Sequence, residues 1–412
     1  MENESSIIVN KKSNRNLFRK INSKIKIINK VLFFFIGIFT LIIIFAFIII
    51  FKSYIKLSFL YKNLLNFKNE IYNRISKIEE ILKIKGQMDV LNQTSEYRIS
   101  NLKSINLNEK SESNSALIDE FIKEQNNFCE NQNEFYNKEF ENKIKLFEIK
   151  FENKTFNMYI YRIPDIVSNV IRYKKSFDPE ETKKLMKALT YYSNKLNIGN
   201  EDIYILDIGA NIGWYTFLFG KYGYKIISFE PSKLNNYILK KSYCLNKEVN
   251  VTLINKGLYN EEKICDIYNA VNNEGNGIVI CKDNETIPKY FFQHKTGEIS
   301  LTKLNNYLPF LLTKKVALIK IDAEGSEGKA FEGGIELITK YHVPFIYLEF
   351  TPTYLKLQGT DPNEFIKLFA DNGYKFSTLN FFTNCISAED IMRKNLGNVG
   401  MNLYLVYSKI LE

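Results

Sequence analysis

One stretch limits the possible folds more than any other. Residues 203–216 open with an apolar run (Ile203, Ile205, Leu206, Ile208) and pass through Gly209, Ala210, Asn211 and Gly213. They continue as an apolar helical pattern (Trp214, Tyr215, Phe217, Leu218, Phe219) that stops at Gly223. The pattern predicts strand, tight turn, helix. Gly209 permits the turn, and Gly213 lets a ligand or the strand approach the helix start. The free N–H groups and dipole of that helix start face whatever sits above the strand end.

A second strand, 224–229, ends in Glu230-Pro231. Glu230 follows Asp207 at close to the spacing of about 20 residues at which a carboxylate meets ribose hydroxyls. Later strands are expected at 249–254, 316–321, 343–348, 374–379 and 402–407, ending in turn for the first three at Asn255, Asp322 and Glu349. Helices are expected between them, one capped by Ser232 and one starting at Asp361-Pro362. This alternation predicts an α/β fold with a mostly parallel sheet and helices on both faces. Parallel strands end on one edge, so Gly209, Glu230, Asn255, Asp322 and Glu349 should face one mouth. The long irregular region 259–315, with strand-like pieces at 263–268 and 277–281, is placed to cover that mouth.

Three segments together, Asp207-Ile-Gly-Ala-Asn-Ile-Gly213, Phe229-Glu-Pro231 and Ile319-Lys-Ile-Asp-Ala-Glu-Gly-Ser-Glu327, resemble the FkbM-type S-adenosylmethionine-dependent methyltransferases. The resemblance runs from about Leu146 to the C-terminus and implies a class I, Rossmann-like methyltransferase fold. It implies that Asp207, Gly209, Ala210, Asn211 and Gly213 line the methionine end of S-adenosylmethionine, with Tyr215 and Thr216 adding to it. Glu230 would bind the ribose and Asn255 would lie beside the adenine. Asp322, then Glu324, are the acids expected to orient or deprotonate a hydroxyl acceptor, a sugar or another small molecule; the same positions also suit a helix cap and a first-turn acid. Two departures stand out. Thr302-Lys-Leu-Asn-Asn306 has asparagines where the family has Asp-Asp, and Trp214 replaces a smaller aromatic. The first keeps open a catalytically weakened binding module. A nicotinamide-dependent dehydrogenase fits less well, because the turn is not G-x-G-x-x-G and no catalytic Tyr/Lys pair is evident.

Ahead of this domain, expected at 145–412, the chain reads differently. Residues 1–30 form a basic tail, and 31–51 are an uncharged apolar run. At 1.5 Å per residue that run covers about 30 Å, a bilayer's hydrocarbon thickness, and predicts a single membrane-spanning helix with a cytoplasmic N-terminus. Residues 52–140 read as a stem. A heptad-like seam at 57–81, broken by Arg74, fits either self-association or one amphipathic helix; flexible sequence follows, with some helix around 115–140. Which side of the membrane the domain occupies stays open: sequons at Asn92, Asn153, Asn250 and Asn284 fit the far side, while S-adenosylmethionine is made in the cytosol.

The net charge of +10 owes much to the N-terminal tail, so no nucleic-acid surface is inferred. No zinc-type Cys/His cluster occurs, and no metal is expected. The 5 cysteines are scattered without a C-x-x-C, which argues against a disulfide framework. Of the 2 histidines, His342 precedes a strand at the wrong edge, and His294 sits in the covering region.

Overall fold

The computed structural model describes residues 107–270, 273–281, 294–383, 385–394 and 400–412. The expected membrane span, the basic tail before it and the 57–81 seam lie outside these residues. Among the described residues no helix is long and apolar enough to cross a membrane.

The chain enters through helix α1 (Leu107–Glu130), then a hairpin of β1 (Ile144–Phe151) and β2 (Lys154–Tyr161), then α2 (Ile166–Lys174) and α3 (Pro179–Leu196). The sheet proper follows as β3 (Ile203–Ile208), α4 (Trp214–Lys221), β4 (Lys225–Phe229), α5 (Lys233–Cys244) and β5 (Val251–Ile254). Next come β6 (Gly257–Leu258), β7 (Lys263–Ala270), β8 (Asn273–Ile280) and β9 (His294–Thr302). The chain then returns to the main sheet with β10 (Lys315–Ile321), α6 (Glu327–Glu332), β11 (Phe345–Phe350), α7 (Pro352–Leu357), α8 (Pro362–Asp371), β12 (Tyr374–Ser377) and β13 (Met401–Tyr407).

The main sheet runs β12-β13-β11-β10-β3-β4-β5. Its strands are parallel except β13, which is antiparallel to both neighbours. After β3 the chain builds outward one way through β4 and β5. It then crosses back, laying β10 and β11 on the other side. The reversal leaves a crevice at the carboxyl ends of β3 and β10, the switch point where open α/β sheets take ligands. The central strands are buried on both faces, Leu206, Leu318, Ile319 and Ile346 completely. That is why they read as continuous apolar runs without alternation.

Three sequence expectations change. The segment read as a mostly flexible stem with some helix around 115–140 does hold a helix, α1, and that helix belongs to the compact unit, which spans Asn106–Glu412. Ile118, Phe121 and Phe128 are buried. The Gln125 amide donates to Val251 O at 2.8 Å and accepts from Leu253 N at 2.9 Å, so it closes the open edge of β5 as a neighbouring strand would. Second, the covering region is more regular than expected: its strand-like pieces at 263–268 and 277–281 fall in β7 and β8, and with β6 and β9 they form a second sheet, β6-β9-β7-β8. Third, 4 of the cysteines pair, Cys129 with Cys244 and Cys265 with Cys281, leaving Cys385 free. Each bridge joins elements that meet only through tertiary contact or a long hairpin, which Cys spacing does not encode.

Candidate functional site

The turn after β3 is suspended between two other strand ends. The N–H groups of Gly209 and Ala210 donate to Phe229 O at 2.9 and 3.1 Å, and Asp322 N donates to Ile208 O at 3.1 Å. Gly209 has φ +71, and a Cβ there would lie 1.8 Å from the backbone oxygen of Asp322. Only glycine lets these two strand ends touch.

Glu230 completes the turn. Its carboxylate accepts from Asn211 N at 2.8 Å and from Ser232 N at 2.9 Å, with Asn235 Nδ2 at 3.3 Å. It is 5% exposed. Burial pushes its carboxyl up to about 7, against the downward pull of the Ser232 and Asn211 N–H groups.

Two cavities meet at this turn. The first is lined by Gly209, Asn211, Glu230, Pro231, Ser232 and Asp322, among others. Apolar residues Leu258, Ile267, Val279 and Leu301 come from the second sheet and its first strand, with Gly275 and Asn276 of β8 as a roof. Gly275 N donates to Asp165 Oδ2 at 3.0 Å and Asn235 Nδ2 to Gly275 O at 3.1 Å, which ties the roof to α2 and α5. The second cavity is lined by Phe177, Asp178, Ala210, Ile212, Trp214, Tyr215, Lys320, Tyr347 and Glu349. Gly209, Asn211 and Asp322 line both and form the junction.

At that junction the carboxylates of Asp322, Glu324 and Glu349 have oxygens within 4.8 Å of one another. Burial, with Asp322 beside them, pushes the carboxyls of Glu324 and Glu349 well above the usual range. Neither Asp322 nor Glu324 takes up the capping role that the sequence also allowed. Ser326 is the N-cap of α6, and Glu327 accepts from Ala323 N at 2.8 Å and Gly325 N at 3.3 Å. One buried cation stands nearby: Lys320 Nζ donates to Gly209 O at 2.7 Å and lies 3.6 Å from Asp207 and 4.0 Å from Asp322.

The structure therefore brings Gly209, Ala210, Asn211, Tyr215, Glu230, Asp322 and Glu324 to the cavities. It places Asp207, Gly213, Thr216 and Asn255 on neither wall. Asp207 is 1% exposed and accepts from Thr216 Oγ1 at 2.6 Å, and that hydroxyl also meets Ser228 Oγ at 2.7 Å. This is an internal clamp between β3, α4 and β4 behind the turn. Gly213 packs on Leu239 and Phe217, where a Cβ would approach to 2.6 and 2.7 Å. Asn255 is displaced because the chain turns at once into β6, whose Gly257 and Leu258 reach the first cavity instead. Sequence reasoning missed Lys320, Tyr347 and Asp178. Lys320 and Tyr347 sit inside apolar strand patterns. Asp178 looks like a helix cap before Pro179, yet makes no cap hydrogen bond and has φ +39. Asn305 and Asn306 line neither cavity; Asn306 Nδ2 donates to Glu262 and to Thr302 Oγ1. His342 stacks on Tyr407 at the opposite edge of the sheet, and His294 is exposed near Glu274.

Residues 207–376 match the family model of the Methyltransferase FkbM domain. No curated protein matches the chain in sequence. Among solved structures, the bifunctional kinase-methyltransferase WbdD is similar at TM-score 0.33 and 12% identity, over 59% of this chain and 43% of that one. The chain thus spans less than half of WbdD. TYW2 of M. jannaschii, solved in complex with AdoMet, is similar at TM-score 0.29 and 14% identity, over 63% of this chain and 84% of that one. At such scores these likenesses carry no functional weight.

Proposed function

We propose that this chain, which carries a methyltransferase domain at 207–376, transfers a methyl group from S-adenosylmethionine to a hydroxyl of a sugar or another small acceptor at a membrane. The observation that carries the reading is the junction: a first cavity with an apolar wall and a second, more polar one meet at Gly209, Asn211 and Asp322.

The residues present fit the cofactor. Asn211 Oδ1 is buried without a partner at the junction. A Cβ on Gly275 would come within 2.8 Å of that oxygen, so the roof strand can lie close to it only as glycine. Bound there, S-adenosylmethionine supplies a methyl on a positively charged sulfur. Ser232 and Asn235 occupy Glu230 Oε1, while Oε2 keeps a lone pair beyond the one used by Asn211, enough to accept from a ribose hydroxyl. Leu258, Ile267, Val279 and Leu301 give an apolar slot for a base. Asp322 stands at the junction, where an acceptor hydroxyl entering the second cavity meets the donor. It orients that hydroxyl, and Asp322 or Glu324 takes its proton. Phe177, Tyr215 and Tyr347 exclude water on the acceptor side.

The weakened-module alternative rested on Asn305 and Asn306 and loses that support, since both lie off the cavity walls. The expected anchor at 31–51 is part of the proposal. We place the domain on the non-cytosolic side of the membrane, with the N-terminus cytoplasmic. Two disulfides and an exposed Asn153 at the β1–β2 turn support that side. Methyl transfer from labelled S-adenosylmethionine across a panel of glycans and small alcohols tests the activity, with Asp322→Asn as the inactive control. Transfer by both proteins alike, or by neither, would reject it.

A further inference from the structure

We propose that the edge of the main sheet opposite the cavities docks on a bilayer surface that carries anionic phospholipid. A groove lies along that edge. Lys315 and Val316 at the start of β10, Val343 and Pro344 just before β11, and Tyr407 at the end of β13 all line it. β10 and β11 run parallel, and their other ends carry Asp322 and Glu349 at the second cavity. Groove and mouth therefore stand a strand length apart, on opposite edges of one sheet.

The groove gathers apolar side chains that face water. Leu196, Leu312 and Tyr341 line it and are 41, 42 and 43% exposed. Buried Leu311 and Leu337 line it as well. Exposed apolar residues scattered singly are ordinary, whereas several around one concave surface mark an interaction site.

Charge names the occupant. Lys314, Lys315 and Lys409 line the same groove, and no acid does. Lys195 adds an ammonium beside it, where Nζ donates to the backbone oxygen of Ile410 at 2.9 Å. Glu336, next to Leu337, is held by Lys340 at 2.9 Å, and Glu201 and Asp202 on the turn before β3 line no part of the groove. Apolar side chains among lysines fit the boundary layer of a bilayer. Leucine and tyrosine enter between headgroups, lysine stems lie along the apolar surface, and the ammoniums meet lipid phosphates. A second copy of the chain would set lysines against lysines. A nucleic acid would use the lysines and leave the leucines in water. The anchor proposed at 31–51 supplies a bilayer for the domain to meet.

Docked by this edge, the domain turns its mouth away from the lipid, so an acceptor reaches Asp322 from the aqueous side. That consequence rests on the methyl-transfer reading; the docking does not.

The test uses the full chain with Cys385→Ser, which removes the free thiol, and a polarity-sensitive fluorophore on Leu312→Cys. Vesicles of phosphatidylcholine alone are compared with vesicles of phosphatidylcholine and phosphatidylglycerol. Emission should move to shorter wavelength with the anionic vesicles only. The shift should vanish at about 1 M salt, where charges are screened beyond about 3 Å. Combining Lys314→Gln, Lys315→Gln and Lys409→Gln should abolish it, with melting curves confirming that the variant folds. The same fluorophore on Glu298→Cys, exposed on β9, should not respond. No shift at Leu312→Cys, an equal shift with neutral vesicles, an equal shift at Glu298→Cys, or a shift that survives the lysine changes overturns the proposal. So does a shift that follows the number of chains per vesicle and not lipid charge, which assigns the groove to a second copy. A shift produced by polyglutamate and not by vesicles assigns it to an acidic protein and overturns the proposal too. Methyl transfer is not read, so failure here leaves the methyltransferase reading intact.

Discussion

The carboxylate of Glu230 accepts a hydrogen bond from the backbone N–H of Asn211 at 2.8 Å, joining the end of β4 to the turn after β3. One side chain thus shapes the glycine turn and lines the first cavity. Its burial gives it a pH signature. The carboxyl is raised to about 7, so the protonated form dominates below that value and cannot accept from a ribose hydroxyl at the protonated oxygen. Cofactor affinity should therefore rise with pH up to about 7 and then level off. Glu230→Gln should flatten the profile and cost about 1–3 kcal/mol of binding at pH 8. Calorimetric titration from pH 5.5 to 8.5 checks both.

The same raised value acts on stability with a fixed sign. The folded state holds the proton more tightly than the unfolded chain. The contribution is complete at low pH and is lost as pH rises from the ordinary carboxylate range through about 7. Relative to Glu230→Gln, the unaltered protein should lose stability over that window, as read by denaturant melts at a series of pH values.

Lys320 is the buried cation on which the Asp207 clamp depends, 3.6 Å from its carboxylate with side chains 6% and 1% exposed. Lys320→Met leaves Asp207 charged and unpaired. A loss of about 3–5 kcal/mol in unfolding free energy is expected. A loss below about 1 kcal/mol would contradict the clamp.

Gln125→Leu should cost about 1–3 kcal/mol, since Val251 O and Leu253 N lose their partners on the β5 edge. A fragment starting at residue 145 should fold poorly by comparison with one starting at 106, as judged by near-ultraviolet circular dichroism.

Restoring the family acid with Asn306→Asp should not raise activity. It would set a carboxylate against Glu262, which now accepts from Asn306 Nδ2. A lower melting temperature with unchanged turnover is the expected pair of results.

Much of this fold was legible because parallel central strands announce themselves. Runs such as Ile203–Ile208 and Lys315–Ile321 are largely apolar and buried on both faces, and the turn residues that follow them reach the cavities. Gly209, Glu230 and Asp322 were legible that way as strand-end residues, and all three line the first cavity. What stayed hidden depends on contacts between distant segments. Gln125 reads as one polar residue in a polar helix, and only the β5 edge gives it meaning. Asp207 and Thr216 belong to the right motif, but the same buried environment that makes them a clamp keeps them off the cavity wall. Asn255 lies off both cavity walls because the chain turns into the two-residue strand β6, too short to leave a periodic signal. The disulfides span 115 and 16 residues, separations with no pattern in a chain of scattered cysteines.

The most direct test is calorimetric titration of the purified chain with S-adenosylmethionine at pH 8. One saturable site per chain is predicted, weakened in Glu230→Gln by about 1–3 kcal/mol and competed by S-adenosylhomocysteine. No saturable binding, or binding indifferent to Glu230, would contradict the reading of the first cavity as the donor's seat.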